Sequence, residues 1–173
     1  MEGLPNIARV VVLLDNVRSL YNTGSILRTA DAAGVERVVL CGITPRPDQG
    51  GRQRRAIAKT ALGAEESVAW EYQADTGAAL RALTADGYRI VALETSPAAV
   101  DLFTWSPDWP VCLVLGHERV GISDELAPLL LNTVIRIPML GRKGSLNVAT
   151  AAGVALYELL RLRLYGGTQR AGE

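Results

Sequence analysis

The sequence predicts an α/β fold in which a mostly parallel sheet is flanked by helices. Two observations support this prediction. Short runs rich in Val, Ile and Leu alternate along the chain with longer segments of helical character, and this alternation is typical of strands joined by right-handed helical crossovers. Several of the runs are apolar almost throughout, as expected for parallel strands that are covered on both faces.

The apolar runs define the predicted strands, and the segments between them define the predicted helices. Strands are predicted at residues 9–14, 37–41, 88–93, 111–115 and 133–137. Helices are predicted at residues 22–33, 56–64, 76–86, 123–130 and 145–164. Residues 42–53 and 96–110, which are rich in Pro or Gly, are predicted loops.

Several residues mark the predicted helix ends. Ser123 precedes Asp124 and Glu125, so a capping hydroxyl and two acidic groups stand at a helix start, where the helix dipole favours negative charge. Gly34 and Gly87 follow predicted helices at positions where glycine commonly ends them.

Length and composition indicate one ordinary globular domain spanning residues 1–173. A chain of this length buries roughly 70% of its unfolded surface and supports one core. Apolar residues make up 49% of the chain and charged residues 21%, which disfavours a disordered or fibrous protein. Basic and acidic side chains balance at 18 each, so a nucleic-acid site would have to be a local patch.

The two cysteines and the N-terminus exclude several classes of protein. Cys41 and Cys112 each lie in an apolar run, where a free cysteine behaves as a small buried hydrophobe. No cluster of Cys or His supports a disulfide or a metal site. The chain starts without a signal-peptide pattern and has no 18-residue apolar run, so we expect a cytoplasmic protein.

The first candidate site is the segment 22–28, Asn-Thr-Gly-Ser-Ile-Leu-Arg, which opens a helix directly after a strand. Asn22 can cap this helix, and Gly24 allows a backbone or a ligand to approach its first turn. The guanidinium of Arg28 can bind a phosphate or a carboxylate. An ordinary cap followed by a solvated arginine explains the same residues.

The second candidate site, residues 113–123, is a buried strand followed by Gly116, His117, Glu118 and a second glycine. Ligands of parallel α/β sheets bind beyond the carboxyl ends of the strands, where this turn lies. The segment lacks the glycine spacing of a dinucleotide fingerprint or a phosphate loop. His117 is the only histidine, so a metal site is disfavoured and a surface histidine is the simpler interpretation.

The third candidate site, residues 135–151, contains a strand that ends at Pro138 and a loop with two glycines and two cations. Ser145 or Asn147 then begins a long helix. Free backbone donors at that helix start form a polar site beside an apolar strand end.

In order and spacing, the three segments together resemble the three motifs of the SpoU/TrmH family of SPOUT methyltransferases. The resemblance extends from Asn22 to Glu158. It implies a C-terminal deep trefoil knot over roughly residues 88–165, and S-adenosyl-L-methionine as cofactor. It also implies methyl transfer to a ribose 2′-hydroxyl of tRNA or rRNA. By motif position, the cofactor site would include Thr95, Gly116, Ile137 and Leu146.

The resemblance also implies the catalytic residues. Arg28 would act as base or arrange a substrate phosphate, and because arginine has a pKa of about 12.5 or more we favour an electrostatic role. Asn22 would orient Arg28 or the ribose. Glu118 would hold the catalytic loops or Arg28, and Ser145 and Asn147 would complete the pocket.

Members of this family are homodimers, so the resemblance implies a site that combines Arg28 of one chain with the cofactor of the other. The last helix would contribute Ala149, Ala152, Val154 and Leu156 to the interface. The same four residues could instead belong to the core of a single chain.

A local cluster of cations would bind the RNA phosphates. The candidates are Arg46, Arg52, Arg54, Arg55, Lys59 and Arg142, with Lys143 beside the last of them. Asn is common in the family at the position of His117, and His can form similar hydrogen bonds. The alternative functions are a catalytically silent RNA-binding protein of the same fold and, less favoured, a nucleotide-binding regulator.

Overall fold

The computed structural model describes residues 9–130 and 133–166. The ends of the predicted domain, residues 1–8 and 167–173, lie outside the described residues. The strands of the described chain are β1 (Val10–Asp15), β2 (Arg37–Cys41), β3 (Trp70–Gln73), β4 (Arg89–Leu93), β5 (Val100–Asp101), β6 (Val111–Leu115) and β7 (Val134–Arg136).

These strands form one sheet in the order β3-β2-β1-β6-β4-β7-β5, and every neighbouring pair is parallel. β1 and β6 lie at the centre, and all of their residues are buried. Their sequences are apolar because both faces of these central strands are covered by helices. The predicted α/β class and parallel sheet are confirmed.

The helices of the described chain are α1 (Leu20–Ala32), α2 (Arg52–Ala61), α3 (Ala64–Ser67), α4 (Thr76–Ala85) and α5 (Val148–Tyr165), with a 3₁₀ helix at Asp124–Leu129. Alternate residues of β1 point to opposite faces of the sheet. Val12 and Leu14 pack with α1, α2, α3 and α5. Val11 and Leu13 pack with α4 and the 3₁₀ helix.

The predicted strand bounds at residues 37–41 and 111–115 agree with β2 and β6. β3 and β5 were not predicted, and neither was α3. β3 is a half-buried edge strand that alternates intermediate and exposed residues, so it lacks an apolar run. β5 is only two residues long and lies within the predicted loop 96–110.

The side-chain caps predicted at Asn22 and Ser123 are wrong, and the helix predicted at residues 56–64 begins earlier, at Arg52. α1 begins at Leu20 because Ser19 is its N-cap. The Ser19 hydroxyl accepts a hydrogen bond from the backbone amide of Asn22 at 3.2 Å. Asn22 therefore lies in the first turn with its side chain free for other contacts. Ser123 precedes a 3₁₀ helix, but its side chain donates to Asp15 at 2.8 Å and forms no cap bond.

Gly24 marks the place where α1 crosses α2. A Cβ at this position would lie 2.3 Å from the Ile57 carbonyl oxygen and 2.2 Å from the Thr60 hydroxyl. The first turn of α1 therefore approaches the backbone of α2, one of the two roles that the sequence predicted for Gly24. This contact fixes the position of α1 over the sheet.

Both cysteines are buried and free, as predicted. Burial raises the pKa of the Cys41 thiol to about 12 and also raises the pKa of Cys112. Within residues 9–130 and 133–166, no helix is both long and apolar enough to span a membrane. The same residues contain no group of three or more His, Cys, Asp or Glu side chains placed to hold a metal ion.

Candidate active site

A cleft of about 180 Å³ opens at the carboxyl ends of three neighbouring strands, β6, β4 and β7, and extends to the first turns of α5. This is where a parallel sheet presents backbone groups and loops to a ligand. Its lining residues are Leu93, Glu94, Thr95, Leu115, Gly116, His117, Glu118, Arg119, Gly121, Arg136, Ile137, Met139, Ser145, Leu146, Val148 and Ala151.

The structure brings all four predicted cofactor-binding residues together in this cleft. Thr95 follows β4, Gly116 follows β6, Ile137 follows β7, and Leu146 precedes α5. They come from separate parts of the sequence and meet because β6, β4 and β7 are adjacent in the sheet. Their part in cofactor binding remains a prediction.

A chain of hydrogen bonds beside the cleft joins the three segments that the sequence singled out. The Asn147 side-chain amide donates to the Asn22 side-chain oxygen at 3.1 Å. The side-chain nitrogen of Asn22 in turn donates to the Glu118 carboxylate at 2.9 Å. The start of α5, the first turn of α1 and the loop after β6 are therefore held in one arrangement.

The Glu118 carboxylate also accepts hydrogen bonds from the backbone amides of Arg18 at 3.0 Å and Ser19 at 2.9 Å. Burial by itself would raise the pKa of this carboxyl. The hydrogen bonds from Arg18, Asn22 and Ser19 outweigh burial, and the pKa lies below its ordinary value of 4.5. Glu118 thus holds the turn before α1, and its predicted part in catalysis stays a prediction.

The pKa of Glu118 predicts a dependence of stability on pH. A carboxyl whose pKa is lowered in the folded state stabilises the fold above its unfolded pKa, and the stabilisation is lost as pH falls through the folded pKa. We expect Glu118→Gln to be less stable than wild type near neutral pH, and the difference to shrink on acidification below 4.5.

Urea unfolding between about pH 7 and pH 3 measures this effect. Glu125→Gln is the control, because Glu125 is exposed at the start of the 3₁₀ helix. A stability difference for Glu118→Gln that stays constant over the whole pH range would contradict the assigned role of the carboxylate.

Asn147 is the N-cap of α5, and its side-chain oxygen accepts hydrogen bonds from Ala149 N at 2.9 Å and Thr150 N at 3.3 Å. Its side-chain nitrogen is left to bind Asn22. Ser145 lines the cleft two residues earlier. Of the two predicted starts of the last helix, the structure selects Asn147.

Arg28 lies on the exposed face of α1 and does not line the cleft. Six residues of α-helix correspond to a rotation of about 600°, so Arg28 and Asn22 point about 120° apart. Within residues 9–130 and 133–166, no carboxylate pairs with Arg28. The cleft and Arg28 are therefore separate features of a single chain.

His117 lies at the cleft wall in a tight turn. Its Nδ1 accepts a hydrogen bond from the Arg119 amide at 3.0 Å, so the neutral ring carries its proton on Nε2. Its backbone exchanges two hydrogen bonds with Gly121, both of 2.9 Å. The predicted surface location is accurate only in part, because the ring is half-buried and lines the cleft.

The predicted RNA-binding cations divide into two groups. Arg46 is half-buried, with its guanidinium 4.5 Å from the Tyr72 ring centre and 3.1 Å from Asp48, and Arg54 pairs with Glu66 at 3.5 Å. The others are exposed and unpaired with any described carboxylate: Arg52, Arg55, Lys59, Arg142 and Lys143.

Asp15, at the end of β1, was missed by the sequence analysis. It is fully buried, and one of its oxygens accepts hydrogen bonds from the Ser123 amide at 2.9 Å and the Ser123 hydroxyl at 2.8 Å. The other accepts from Asn16 at 3.0 Å and Thr76 at 2.8 Å. A charged residue ending an apolar strand at the ligand edge of the sheet was the signal that could have identified it.

Comparison with known proteins connects this geometry to one family. The model of the SpoU rRNA Methylase family matches residues 9–157. The tRNA (guanosine(18)-2′-O)-methyltransferase of Escherichia coli K12 is 34% identical over 91% of this chain and 66% of its own length. The 23S rRNA (guanosine-2′-O-)-methyltransferase RlmB of a Burkholderia species is 36% identical over 95% of this chain and 62% of its own.

Solved structures agree with the sequence relatives. An rRNA methyltransferase from Sinorhizobium meliloti with bound AdoMet superposes with a TM-score of 0.80 at 34% identity, over 92% of this chain and 59% of that one. A protein whose structure concerns 2-OH methylation of C/U34 on tRNA superposes with a TM-score of 0.75 at 28% identity, over 92% of this chain and 98% of that one.

The chain spans about two thirds of the length of the first curated relatives that it matches. The family model nevertheless covers most of the chain, including all three segments joined by Asn147, Asn22 and Glu118. The chain belongs to the SpoU rRNA Methylase family.

Proposed function

We propose that this protein transfers a methyl group from S-adenosyl-L-methionine to a ribose 2′-hydroxyl of a structured RNA. The hydrogen-bonded chain from Asn147 through Asn22 to Glu118, set beside a cleft at the carboxyl edge of the sheet, is the observation that supports this most directly. The relatives named as guanosine 2′-O-methyltransferases of tRNA and 23S rRNA support the same reaction.

The chemistry of the cleft fits the cofactor. Ile137 and Leu146 offer partly exposed apolar surface to an adenine ring. The carboxyl ends of the strands offer backbone groups, and Thr95 and His117 offer side-chain hydrogen bonds. Polar groups at the edges of an apolar slot are typical of sites that bind a nucleoside.

When bound, the cofactor supplies a methyl group on a sulfonium to the attacking ribose oxygen. The chain itself must place that oxygen in line and stabilise the charge that develops on it. Arg28 contributes a fixed positive charge to the ribose or its phosphate. Asn22, Ser145 and Asn147 orient groups at the cleft mouth, while Glu118 holds the turn before α1.

We propose that the protein is a homodimer in which Arg28 of one copy serves the cleft of the other. Exposed apolar side chains of α1 and α5 support an interface there: Tyr21 is 53% exposed and Tyr157 51% exposed. Ala152 and Leu156, predicted for the interface, are buried in the core of the single chain. Ala149 and Val154 are half-buried against the same core.

The proposed trefoil knot, roughly residues 88–165, is supported by the order of the strands. β6 lies between β1 and β4, and β7 lies between β4 and β5. The chain after β4 therefore returns twice to positions beside strands that precede it in sequence.

We also propose that the protein is cytoplasmic, where its RNA substrate would be.

The proposed RNA-binding surface is the exposed side of α2. Arg52, Arg55 and Lys59 are spaced three and four residues apart, so they share one helix face. We expect the substitution of all three residues by Ala to weaken RNA binding whatever the RNA sequence. The slope of log Kd against log salt concentration should fall by roughly 2 to 3.

Filter binding at several salt concentrations measures both quantities. The control is Arg81→Ala combined with Arg89→Ala, which removes two exposed cations, one from α4 and one from β4. An unchanged salt slope in the triple variant would exclude α2 from the RNA interface.

The function itself is tested by incubating the protein with S-adenosyl-L-methionine carrying a labelled methyl group and with tRNA and rRNA that lack the modification. Label recovered in 2′-O-methylated nucleosides supports the proposal and identifies the RNA. RNA binding and cofactor binding without transfer would favour the catalytically silent RNA-binding protein.

A further inference from the structure

The loop that follows β6, residues 116–123, forms one wall of the cleft and carries Glu118. It folds back on itself through the paired backbone hydrogen bonds of His117 and Gly121. Gly121 has φ of 76°, a conformation that glycine adopts at little cost. The end of this loop must be held to the sheet if the wall is to keep its shape.

Two carboxylates hold the end of the loop, one at the end of β1 and one directly after β4, the two strands that flank β6. On the β1 side, Asp15 accepts hydrogen bonds from the amide and the hydroxyl of Ser123. On the β4 side, Glu94 accepts a hydrogen bond from the Ile122 amide at 3.2 Å. Consecutive amides of one loop are thus bound by acidic residues from opposite neighbours.

Glu94 differs from Asp15 because it also lines the cleft. Both of its oxygens are used: Oε1 accepts from the Thr95 amide at 2.9 Å and Oε2 accepts from Ile122. A Cβ on Gly121 would lie 2.3 Å from Oε2. The carboxylate therefore lies directly against the turn that it binds.

We propose that Glu94 is a positioning residue for the cofactor: it fixes Gly121 and Ile122 and so keeps the 116–123 wall in its ligand-binding shape. This inference rests on the proposed use of the cleft by S-adenosyl-L-methionine. Buried Asp15 holds the next residue of the same loop, Ser123. The loop therefore needs little ordering when the ligand binds, which favours affinity.

Glu94→Gln isolates this contact. Glutamine has nearly the same shape as glutamate, but its amide has one oxygen and one NH₂ group. The glutamine oxygen can accept from the Thr95 amide or from the Ile122 amide, but not from both. The NH₂ group then faces the other backbone amide, which is also a donor. The substitution thus removes one of the two hydrogen bonds and leaves the other without charge assistance, and it creates no cavity.

Two measurements on the full chain test the proposal. Calorimetry gives the Kd for S-adenosylhomocysteine, and hydrogen exchange by NMR gives the protection of the Gly121 and Ile122 amides. Glu71→Gln is the matched control, because Glu71 lies on β3 at the opposite edge of the sheet, where its carboxylate pairs with Arg37 of β2.

For Glu94→Gln we expect faster exchange confined to the loop and a Kd raised about tenfold or more. We expect wild-type values of both quantities for Glu71→Gln. An unchanged Kd despite faster exchange would overturn the proposal, and so would a raised Kd with unchanged exchange, which would mean that Glu94 contacts the ligand itself. If wild type bound no S-adenosylhomocysteine, the proposed function would fail, and this inference with it.

Discussion

Replacing Arg28 by Ala is expected to lower methyl transfer about 10²- to 10³-fold while leaving the fold and cofactor affinity unchanged. The magnitude is typical of removing one fixed group that stabilises charge in a transition state. The fold should be unaffected because Arg28 is exposed and bonds to no described carboxylate. Single-turnover transfer to the RNA substrate measures the loss, and calorimetry measures cofactor affinity.

Arg28→Lys and Arg89→Ala serve as controls. Lysine keeps the charge but lacks the planar fork of the guanidinium, so we expect an intermediate rate. Arg89 is an exposed arginine at the start of β4, at the end of the sheet opposite the cleft, and its removal should leave the rate unchanged. Equal rates for wild type and Arg28→Ala would remove Arg28 from the proposed site.

Co-expression tests whether the site is shared between two copies. Thr95→Arg fills the cleft from an exposed position, so this variant should be inactive alone, and Arg28→Ala alone should keep only its low residual rate. A mixed dimer would contain one site with both an intact cleft and an intact Arg28. We expect partial recovery of activity on co-expression, and its absence would mean that Arg28 serves its own chain.

Gly116→Ala is expected to abolish measurable cofactor binding and to lower the free energy of unfolding by about 3 kcal/mol. A Cβ at Gly116 would lie 2.3 Å from both the Gly121 carbonyl carbon and the Ile122 nitrogen. Both are backbone atoms, so no side-chain rotation relieves the overlap. The 116–123 loop must move away from β6, and the wall of the cleft moves with it.

Urea unfolding and calorimetry with S-adenosylhomocysteine measure the two effects. Gly50→Ala is the matched control, because a Cβ at Gly50 has no atom within 4 Å and its φ is not in the left-handed region. We expect wild-type stability and binding for this variant. Wild-type behaviour of Gly116→Ala would show that the loop is not fixed against β6.

The central strands were predictable because each carries its own local signal. β2 and β6 are apolar over almost their full length, and this pattern is independent of their neighbours. β3 has no such signal, because an edge strand needs only one apolar face and its pairing partner β2 stabilises it. The two residues of β5 are a strand only through their pairing with β7.

The candidate site divides in the same way. Its residue types stand in three contiguous strings, so a family resemblance could identify Asn22, Glu118 and Asn147 from the sequence. That Asn22 links the other two depends on contacts between segments about 100 residues apart. Patterns of neighbouring residues in the sequence do not indicate such contacts.

By itself, the sequence determined the α/β class, the central strands, the buried cysteines and the family. The first three depend on residue type and short-range periodicity, and the family depends on three motifs that occur in order along the chain. Only the tertiary structure decided that Glu118 binds the turn before α1, that Asp15 and Glu94 hold one loop from two strands, and that Arg28 lies outside its own cleft. These follow from strand order, because β6 enters the sheet between β1 and β4 and brings distant residues within hydrogen-bond distance.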